Sequence, residues 1–369
     1  MKVLQVSCND LSNGGVQNVF MNIIANMPDC DFDLVVFGDG DDYYKDEFLK
    51  FGGRIFAFPI YQGNNKYIAQ LDRILWIFRL PLFIFCINRK YGNYDVIHCH
   101  NYFESFLCNF GAYLSGINVR ISHCHNSADP SETKCYKLYT SVLRMIFKRY
   151  TNVKIGCSSK ANEYLYGDDN DVLVINNFIK VNTWLQEKRK YKTPDGKYLF
   201  VHIGRFCYQK NQLFMLEVFK EISLREPDAR LAIMGYGNDE KKLRSYVEEN
   251  MLSNLVTFYP HDYNKYQLLA ESNYMIFPSI SEGFGIALLE AQIMDCLCFV
   301  SDAIPENTDM GLEVRISLEK TTKQWAEIIL KCIKDRCSYC ADEKKINKFD
   351  MRNIMKKYRL IYKNINERS

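Results

Sequence analysis

Phe277-Pro-Ser-Ile-Ser-Glu-Gly-Phe-Gly-Ile-Ala-Leu-Leu-Glu-Ala-Gln292 joins two apolar runs through a turn rich in glycine. The run before it, 274–277, predicts a buried strand. The run after it, 286–294, predicts a helix that is apolar on all sides. Gly283 and Gly285 let backbone come close to a ligand, and the first turn of the helix offers unpaired N–H groups there. A turn of this kind is an anion site, with phosphate its usual occupant. Glu282 and Glu290 bracket the turn with seven residues between them. At a rise of ~1.5 Å per residue, Glu290 lies about 7 Å beyond Gly285 along the helix. Carboxylates on both sides of a bound diphosphate suit a ligand with hydroxyls at both ends, such as a nucleotide sugar. A plainer reading makes one glutamate a helix-start carboxylate and the other a solvated one. Against it, Glu290 stands in Leu-Leu-Glu-Ala, where an idle charge is costly to bury.

Working outward, the 369 residues predict two domains, and the 47% apolar content suffices for real cores. A net charge of +3 makes no general case for nucleic acid. The fourteen cysteines follow no disulfide framework, and Cys86, Cys99, Cys157 and Cys298 lie inside apolar runs. Free thiols there behave as small hydrophobes, which predicts a reducing cytoplasm. The opening Met-Lys-Val-Leu-Gln-Val-Ser reads as a strand rather than a signal peptide. The segment 75–87, interrupted by Arg79 and Pro81, is too short to span a bilayer. Residues 2–6, 32–37, 54–58, 96–99, 120–124, 153–157 and 172–175 read as strands alternating with helical patterns. Residues 176–196 are mostly polar, hold Pro194 and Gly196, and read as a linker. A second set of strands follows at 198–203, 230–234, 256–258, 274–277, 298–300 and 314–316. Helical patterns occupy 322–334 and the tail, through Met351, Ile354, Tyr358 and Ile361. This alternation predicts α/β architecture, with parallel sheets covered by helices and ligands beyond the carboxyl ends of the strands.

Other residues are candidates for chemistry. Arg205 and Lys210 follow strand 198–203, where a forked and a point cation suit a departing diphosphate. Gly14-Gly15 turns the first strand into a helix, either offering amides to an oxyanion or making a tight turn. His98-Cys-His-Asn101 and His123-Cys-His-Asn126 repeat one tetrapeptide. On adjacent strands their rings share a face, which raises a four-histidine metal site, although no carboxylate or thiolate joins them. The alternative is strand-end packing. Lys134, Lys137, Arg144, Lys148, Arg149, Lys154 and Lys160 are accompanied in 131–160 by a single acid, Glu132. With the apolar residues between them they suit an anionic membrane surface, or else a packed helix with a solvated face.

The context Pro278-Ser279-x2-Glu282-Gly283-Phe284-Gly285-x4-Glu290-Ala291 resembles the signature of retaining glycosyltransferases of family 4. Gly14-Gly15-Val16-Gln17, Gly204-Arg205-x4-Lys210-Asn211 and Ser301-Asp302 fall in that family's order. Arg120-Ile-Ser-His-Cys-His-Asn126, Cys157-Ser158 and Ser301-Asp-Ala-Ile304 are similar to its bacterial exopolysaccharide and capsule subgroup. The resemblance implies the GT-B fold, two Rossmann-like doubly wound parallel-sheet domains facing across a cleft. It implies an acceptor-side domain over 1–180, a nucleotide-sugar domain over 195–345, and a helix in 346–369 returning to the first. The donor is then a UDP- or GDP-sugar, and the acceptor a glycan or a polyprenyl-diphosphate-linked glycan. Glu290 holds ribose hydroxyls and Glu282 a sugar hydroxyl. Gly14, Gly15, Gly283, Phe284, Gly285, Leu288 and Leu289, with Arg205 and Lys210, surround the diphosphate. His125, after the fifth strand, meets the sugar's 6-hydroxyl or the acceptor. No metal or cofactor is implied, and the location is cytoplasmic, with peripheral contact to the inner membrane face. Gln17 stands where the family commonly has Glu, which leaves any role needing charge there in doubt. A sugar-nucleotide epimerase, a phosphorylase and an inactive partner subunit of the same fold remain as alternatives.

Overall fold

The computed structural model describes residues 1–7, 11–12, 14–100, 102–127, 134–191, 198–335 and 338–364. Asn101, Ser131, Glu132, Pro194 and Gly196 lie outside these. The chain divides into two compact units, Met1–Asn177 with the chain from Ile354 onward, and Phe178–Asn353.

The first unit is built on seven parallel strands: β1 (Lys2–Ser7), β2 (Asp31–Phe37), β3 (Ile55–Phe58), β4 (Val96–His100), β5 (Val119–Cys124), β6 (Val153–Gly156) and β7 (Leu173–Val174). Their order is β3-β2-β1-β4-β5-β6-β7. Val3, Leu4, Val6 and Leu34–Val36 are fully buried, as expected of strands covered on both faces. The chain turns back at β1, so β1 and β4 are neighbours whose carboxyl ends open where the order switches. The apolar segment at 75–87 belongs to a 22-residue helix, Lys66–Ile87, that runs through Pro81. It packs closely on the helix Ser105–Ser115. A Cβ on Gly111 would lie 2.3 Å from the Pro81 carbonyl oxygen, so glycine sets that approach. Among the described residues, no helix is long and apolar enough to cross a membrane. The last helix, Met351–Asn364, buries Ile354, Met355, Tyr358 and Tyr362. Arg359 Nη2 donates to the Asn26 carbonyl at 2.9 Å.

The second unit has six parallel strands: β8 (Leu199–Ile203), β9 (Arg230–Met234), β10 (Val256–Tyr259), β11 (Tyr274–Phe277), β12 (Leu297–Ser301) and β13 (Glu313–Ile316). The order β10-β9-β8-β11-β12-β13 repeats the reversal of the first sheet, with β8 and β11 at its centre. Phe200, Phe219, Phe299 and Trp325 fill one core. The linker reading of 176–196 is corrected by the helix Val181–Lys188, which buries Val181 and Trp184. Trp184 packs against Tyr266 with the rings tilted, centroids 4.3 Å apart. Two buried side chains in a polar segment make too sparse a stripe to read as a helix.

Candidate active site

In the second unit, two loops leave the carboxyl ends of the central strands and are tied together. The loop after β8 carries Arg205 and ends in the turn Tyr208–Lys210; the loop after β11 carries Glu282. Ile280 N donates to Gln209 O at 2.8 Å, and Asn211 Nδ2 to Pro278 O at 3.2 Å. Asn211 adopts a left-handed conformation at φ +54°, which releases the chain into the helix Gln212–Ser223. These ties bring the Lys210 ammonium onto the Glu282 carboxylate as an ion pair. The same ammonium lies 4.8 Å from the centre of the Phe277 ring. Arg205 is exposed and forms no ion pair among the described residues. Its backbone is held by a relay: Gln212 Nε2 donates to Arg205 O at 2.8 Å and approaches His202 Nε2 at 3.3 Å. His202 Nδ1 in turn donates to Ile276 O at 2.9 Å. Burial lowers His202 to about 4, so the ring is neutral and can accept from Gln212.

Gly285 caps the helix Ile286–Ile293 at φ +91°, a conformation that favours glycine. Phe284 beside it is buried and meets Phe349 edge-on, centroids 5.8 Å apart. Leu288 and Leu289 send their side chains into the core, and Leu288 N already donates to Gly285 O at 3.0 Å. Both side chains therefore serve the core. The hydroxyls of Ser279 and Ser281, in the same loop, are buried with no partner among the described residues. Glu290 is 8% exposed and accepts from Lys265 Nζ at 2.5 Å. That lysine also sits 5.3 Å from the Trp184 ring. The strand–loop–helix turn thus has a carboxylate–ammonium pair at each end and unsatisfied hydroxyls within it.

The first unit holds Gly14, Gly15 and His125. Gly14 precedes the helix Gly15–Ala25, and a Cβ there would lie 2.4 Å from Gln17 Oε1. Gln17 is buried, so the residue that departs from the family's Glu packs beneath this turn. His98 and His100 on β4 lie beside His123 and His125 at the end of β5, all buried. His98 Nδ1 meets Tyr362 Oη at 2.8 Å and its Nε2 meets His123 Nδ1 at 3.3 Å. His100 Nε2 meets Gln5 Oε1 at 2.9 Å and its Nδ1 meets His125 Nε2 at 3.0 Å. His125 Nδ1 faces Asn177 Oδ1 at 3.2 Å. Ligand atoms of His98, His100 and His123 come within 4.8 Å of one another, the spacing a metal ion needs. Yet of those six ring nitrogens only His123 Nε2 has no partner among the described residues. Burial first, then the neighbouring rings, lowers His98 to about 3 and His100 and His123 well below the usual range.

The basic stretch divides in the structure. Lys148 and Lys154 both reach Asp169 at 2.9 Å, and Arg144 Nη2 donates to Tyr164 O at 2.7 Å. Those cations serve the fold, whereas Lys134 and Lys137 are exposed beside Leu138, and Arg149 and Lys160 are exposed further along. The larger apolar exposure lies on the helix Lys66–Ile87, where Tyr67, Leu71, Phe78 and Leu82 face outward. Arg73 of that helix sits 4.9 Å from the Tyr136 ring, which joins the two patches.

Sequence reasoning passed over Lys265, His202, Gln212 and the glycines Gly235 and Gly237. A Cβ on Gly235 would lie 2.0 Å from Gly204 O, and one on Gly237 2.3 Å from Phe206 O. Phe206 N donates to Tyr236 O at 2.7 Å between them. This Gly-Tyr-Gly edge is what the Arg205 loop rests on. The spacing Gly-x-Gly after a strand was its only signal.

Residues 185–348 match the family model described as glycosyl transferases group 1. The chain is 30% identical over 264 residues to the capsular polysaccharide biosynthesis glycosyltransferase CapH of Staphylococcus aureus, covering 68% of this chain and 72% of that protein. It is 24% identical over 309 residues to the UDP-Gal:alpha-D-GlcNAc-diphosphoundecaprenol alpha-1,3-galactosyltransferase of Escherichia coli, covering 78% and 76%. Among solved structures, HepE of Anabaena in complex with UDP-glucose superposes with a TM-score of 0.77 at 17% identity, covering 100% of both chains. Two parallel α/β sheets with the same central reversal, the tied loops around Glu282 and these likenesses lead to one conclusion: the chain belongs to the group 1 glycosyltransferases and has their GT-B fold.

Proposed function

We propose that this enzyme transfers a sugar from a nucleoside-diphosphate sugar, with retention of anomeric configuration, to a glycan or polyprenyl-diphosphate-linked glycan in cell-surface polysaccharide assembly. The observation that carries the donor class is the turn around Gly285, with Lys210–Glu282 at one end and Lys265–Glu290 at the other. A diphosphate at this helix start meets backbone N–H groups, the Ser279 and Ser281 hydroxyls, and the cations Arg205 and Lys210. Glu290 then takes the ribose hydroxyls and Glu282 a hydroxyl of the sugar. As the bond from the anomeric carbon to the phosphate oxygen breaks, its electron pair goes to the diphosphate, and Arg205 and Lys210 stabilise that charge. The acceptor oxygen bonds the anomeric carbon from the same face, and a phosphate oxygen takes its proton. His125 would contribute its Nδ1 in place of the bond to Asn177. The E. coli protein, whose name carries UDP-Gal, and the Anabaena protein, solved in complex with UDP-glucose, support a UDP-sugar donor. The E. coli protein's diphosphoundecaprenol acceptor supports a lipid-linked one. Such an acceptor brings the enzyme to the inner face of the membrane, where the outward residues of Lys66–Ile87 supply apolar contact and Lys134 and Lys137 supply charge.

Thermal denaturation with UDP-, GDP- and ADP-sugars tests the donor assignment. A ligand present at a hundred times its dissociation constant stabilises the fold by about 2.7 kcal/mol, visible as a raised melting temperature. One nucleotide class is expected to give that rise, and Arg205→Ala and Glu290→Gln to shrink it. No rise with any nucleotide or nucleotide sugar would sink the proposal.

A further inference from the structure

The histidine cluster carries an inference about proton placement. A neutral imidazole has one N–H and one bare nitrogen, so each contact in the cluster fixes the next. Gln5 sits at the centre, with Oε1 on His100 Nε2 and Nε2 on Tyr362 Oη, the latter at 3.2 Å. In that orientation His100 carries its proton on Nε2 and accepts at Nδ1, so His125 donates from Nε2. Tyr362 accepts from Gln5, and its own buried proton is satisfied by His98 Nδ1. His98 then donates from Nε2 to His123 Nδ1. All four rings become Nε2–H tautomers, and His125 Nδ1 is a bare acceptor that Asn177 meets with its NH2 group once its amide, placed with Oδ1 toward the ring, is turned over. Turning the Gln5 amide over inverts every bond. All four rings become Nδ1–H tautomers, and Asn177 meets His125 with its oxygen. The oxygen and nitrogen of an amide have nearly the same shape, so both arrangements fit the same heavy-atom positions. A mixed arrangement within a pair sets two bare nitrogens or two N–H groups face to face at about hydrogen-bond distance, and one between the pairs leaves the Tyr362 proton without an acceptor or sets two acceptors together. Burial keeps the rings neutral, which removes the escape of a doubly protonated ring.

We infer that Gln5, Tyr362 and the four histidines form one hydrogen-bonded relay that fixes which tautomer His125 presents, and hence whether its Nδ1 gives or accepts a hydrogen bond. Gln5 and Tyr362 are positioning residues: they bond to the relay and not to His125. Tyr362 comes from the last helix and Gln5 from the first strand, so both ends of the chain set one proton. The consequence for catalysis rests on the reading above, that His125 Nδ1 meets a hydroxyl of sugar or acceptor. A hydroxyl can answer either tautomer, but it points its own proton in opposite directions in the two cases.

Long-range proton–nitrogen spectra of the intact, unliganded chain labelled with 15N-histidine test this directly. The expected result is one shared tautomer for His98, His100, His123 and His125, neutral down to about pH 6. Gln5→Leu, which removes the central link, is expected to shift the His125 nitrogen signals although Gln5 does not bond to that ring. Tyr362→Phe keeps the ring in place and is expected to end the agreement between the His98–His123 and His100–His125 pairs. Mixed tautomers in the wild-type chain, or His125 signals unmoved by Gln5→Leu and pairs unmoved by Tyr362→Phe, would overturn the relay. So would uptake of one zinc ion per chain, added alone, with shifts at His98, His100 and His123. Because the spectra are taken without donor, they are independent of transfer: an inert wild-type chain counts against the proposed function and leaves the relay standing.

Discussion

Glu282 and Glu290 have similar surroundings but different partners. Lys210 sits on the loop tied to that of Glu282, whereas Lys265 starts the helix Lys265–Ala270 and reaches Glu290 from another strand crossover. A carboxylate already paired to an ammonium is a poor nucleophile and a good acceptor of ligand hydroxyls, which suits binding over covalent chemistry. His202 supports the Arg205 loop indirectly, since its neutral ring anchors Gln212 and through it Arg205. Its folded value of about 4 lies below the ordinary 6.5, so the unfolded chain takes up the proton first as pH falls. The associated stability is complete above 6.5 and is lost as pH falls toward 4. At ~1.4 kcal/mol per pH unit, His202 alone accounts for about 3 kcal/mol of that loss. Urea unfolding is expected to give a flat free energy from pH 8 to 6.5 and a decline of several kcal/mol by pH 4, because His98 and His125 act in the same direction. A flat profile across the lower window would contradict the buried neutral rings. Glu282 and Glu290 were legible because glycines and apolar neighbours surround them; Lys265 was not, because a lone lysine at the start of a short helix has no local signature.

At the level of elements, the loop after β8 depends on the turn after β9. Gly235 and Gly237 leave room for the Gly204 and Phe206 carbonyls, and no other residue fits without moving one strand end from the other. Gly237→Ala is expected to push the Arg205 loop away, at a cost of about 1–3 kcal/mol in stability. Nucleotide affinity should fall roughly tenfold or more, for about 1.4 kcal/mol of lost contact. Titrating the variant with the nucleotide that stabilises the wild type checks this; unchanged affinity would show that the loop does not depend on the glycine. The strands themselves were readable, since each is a short apolar run bounded by turn residues. The helix Lys66–Ile87 was obscured by Pro81 and by an apolar side that remains outward. Helical periodicity reports a buried stripe, and here the stripe is divided between the helix Ser105–Ser115 and solvent.

On the scale of the whole molecule, each unit repeats one plan, a parallel sheet whose central reversal opens at the carboxyl ends of its strands. The first unit also carries an outward apolar face, with Tyr67 83% and Phe78 74% exposed. Burying side chains of that size in a lipid interface gains about 1.5–3 kcal/mol each when complete. Phe78→Ser with Leu82→Ser is therefore expected to weaken co-sedimentation with phosphatidylglycerol vesicles at least about tenfold. Equal binding by the double variant would assign that face to something other than membrane. The amino-acid sequence by itself determined the class of fold, the strands of the described residues and the glycine turn before the helix Ile286–Ile293, because these depend on local periodicity and on glycine at fixed spacing. Tertiary structure alone decided which cation meets which glutamate, which basic residues are spent on Asp169, and that Gln5 and Tyr362 share the histidine cluster. Those partners lie tens to hundreds of residues apart, and only the parallel crossovers and the returning last helix bring them within hydrogen-bond reach.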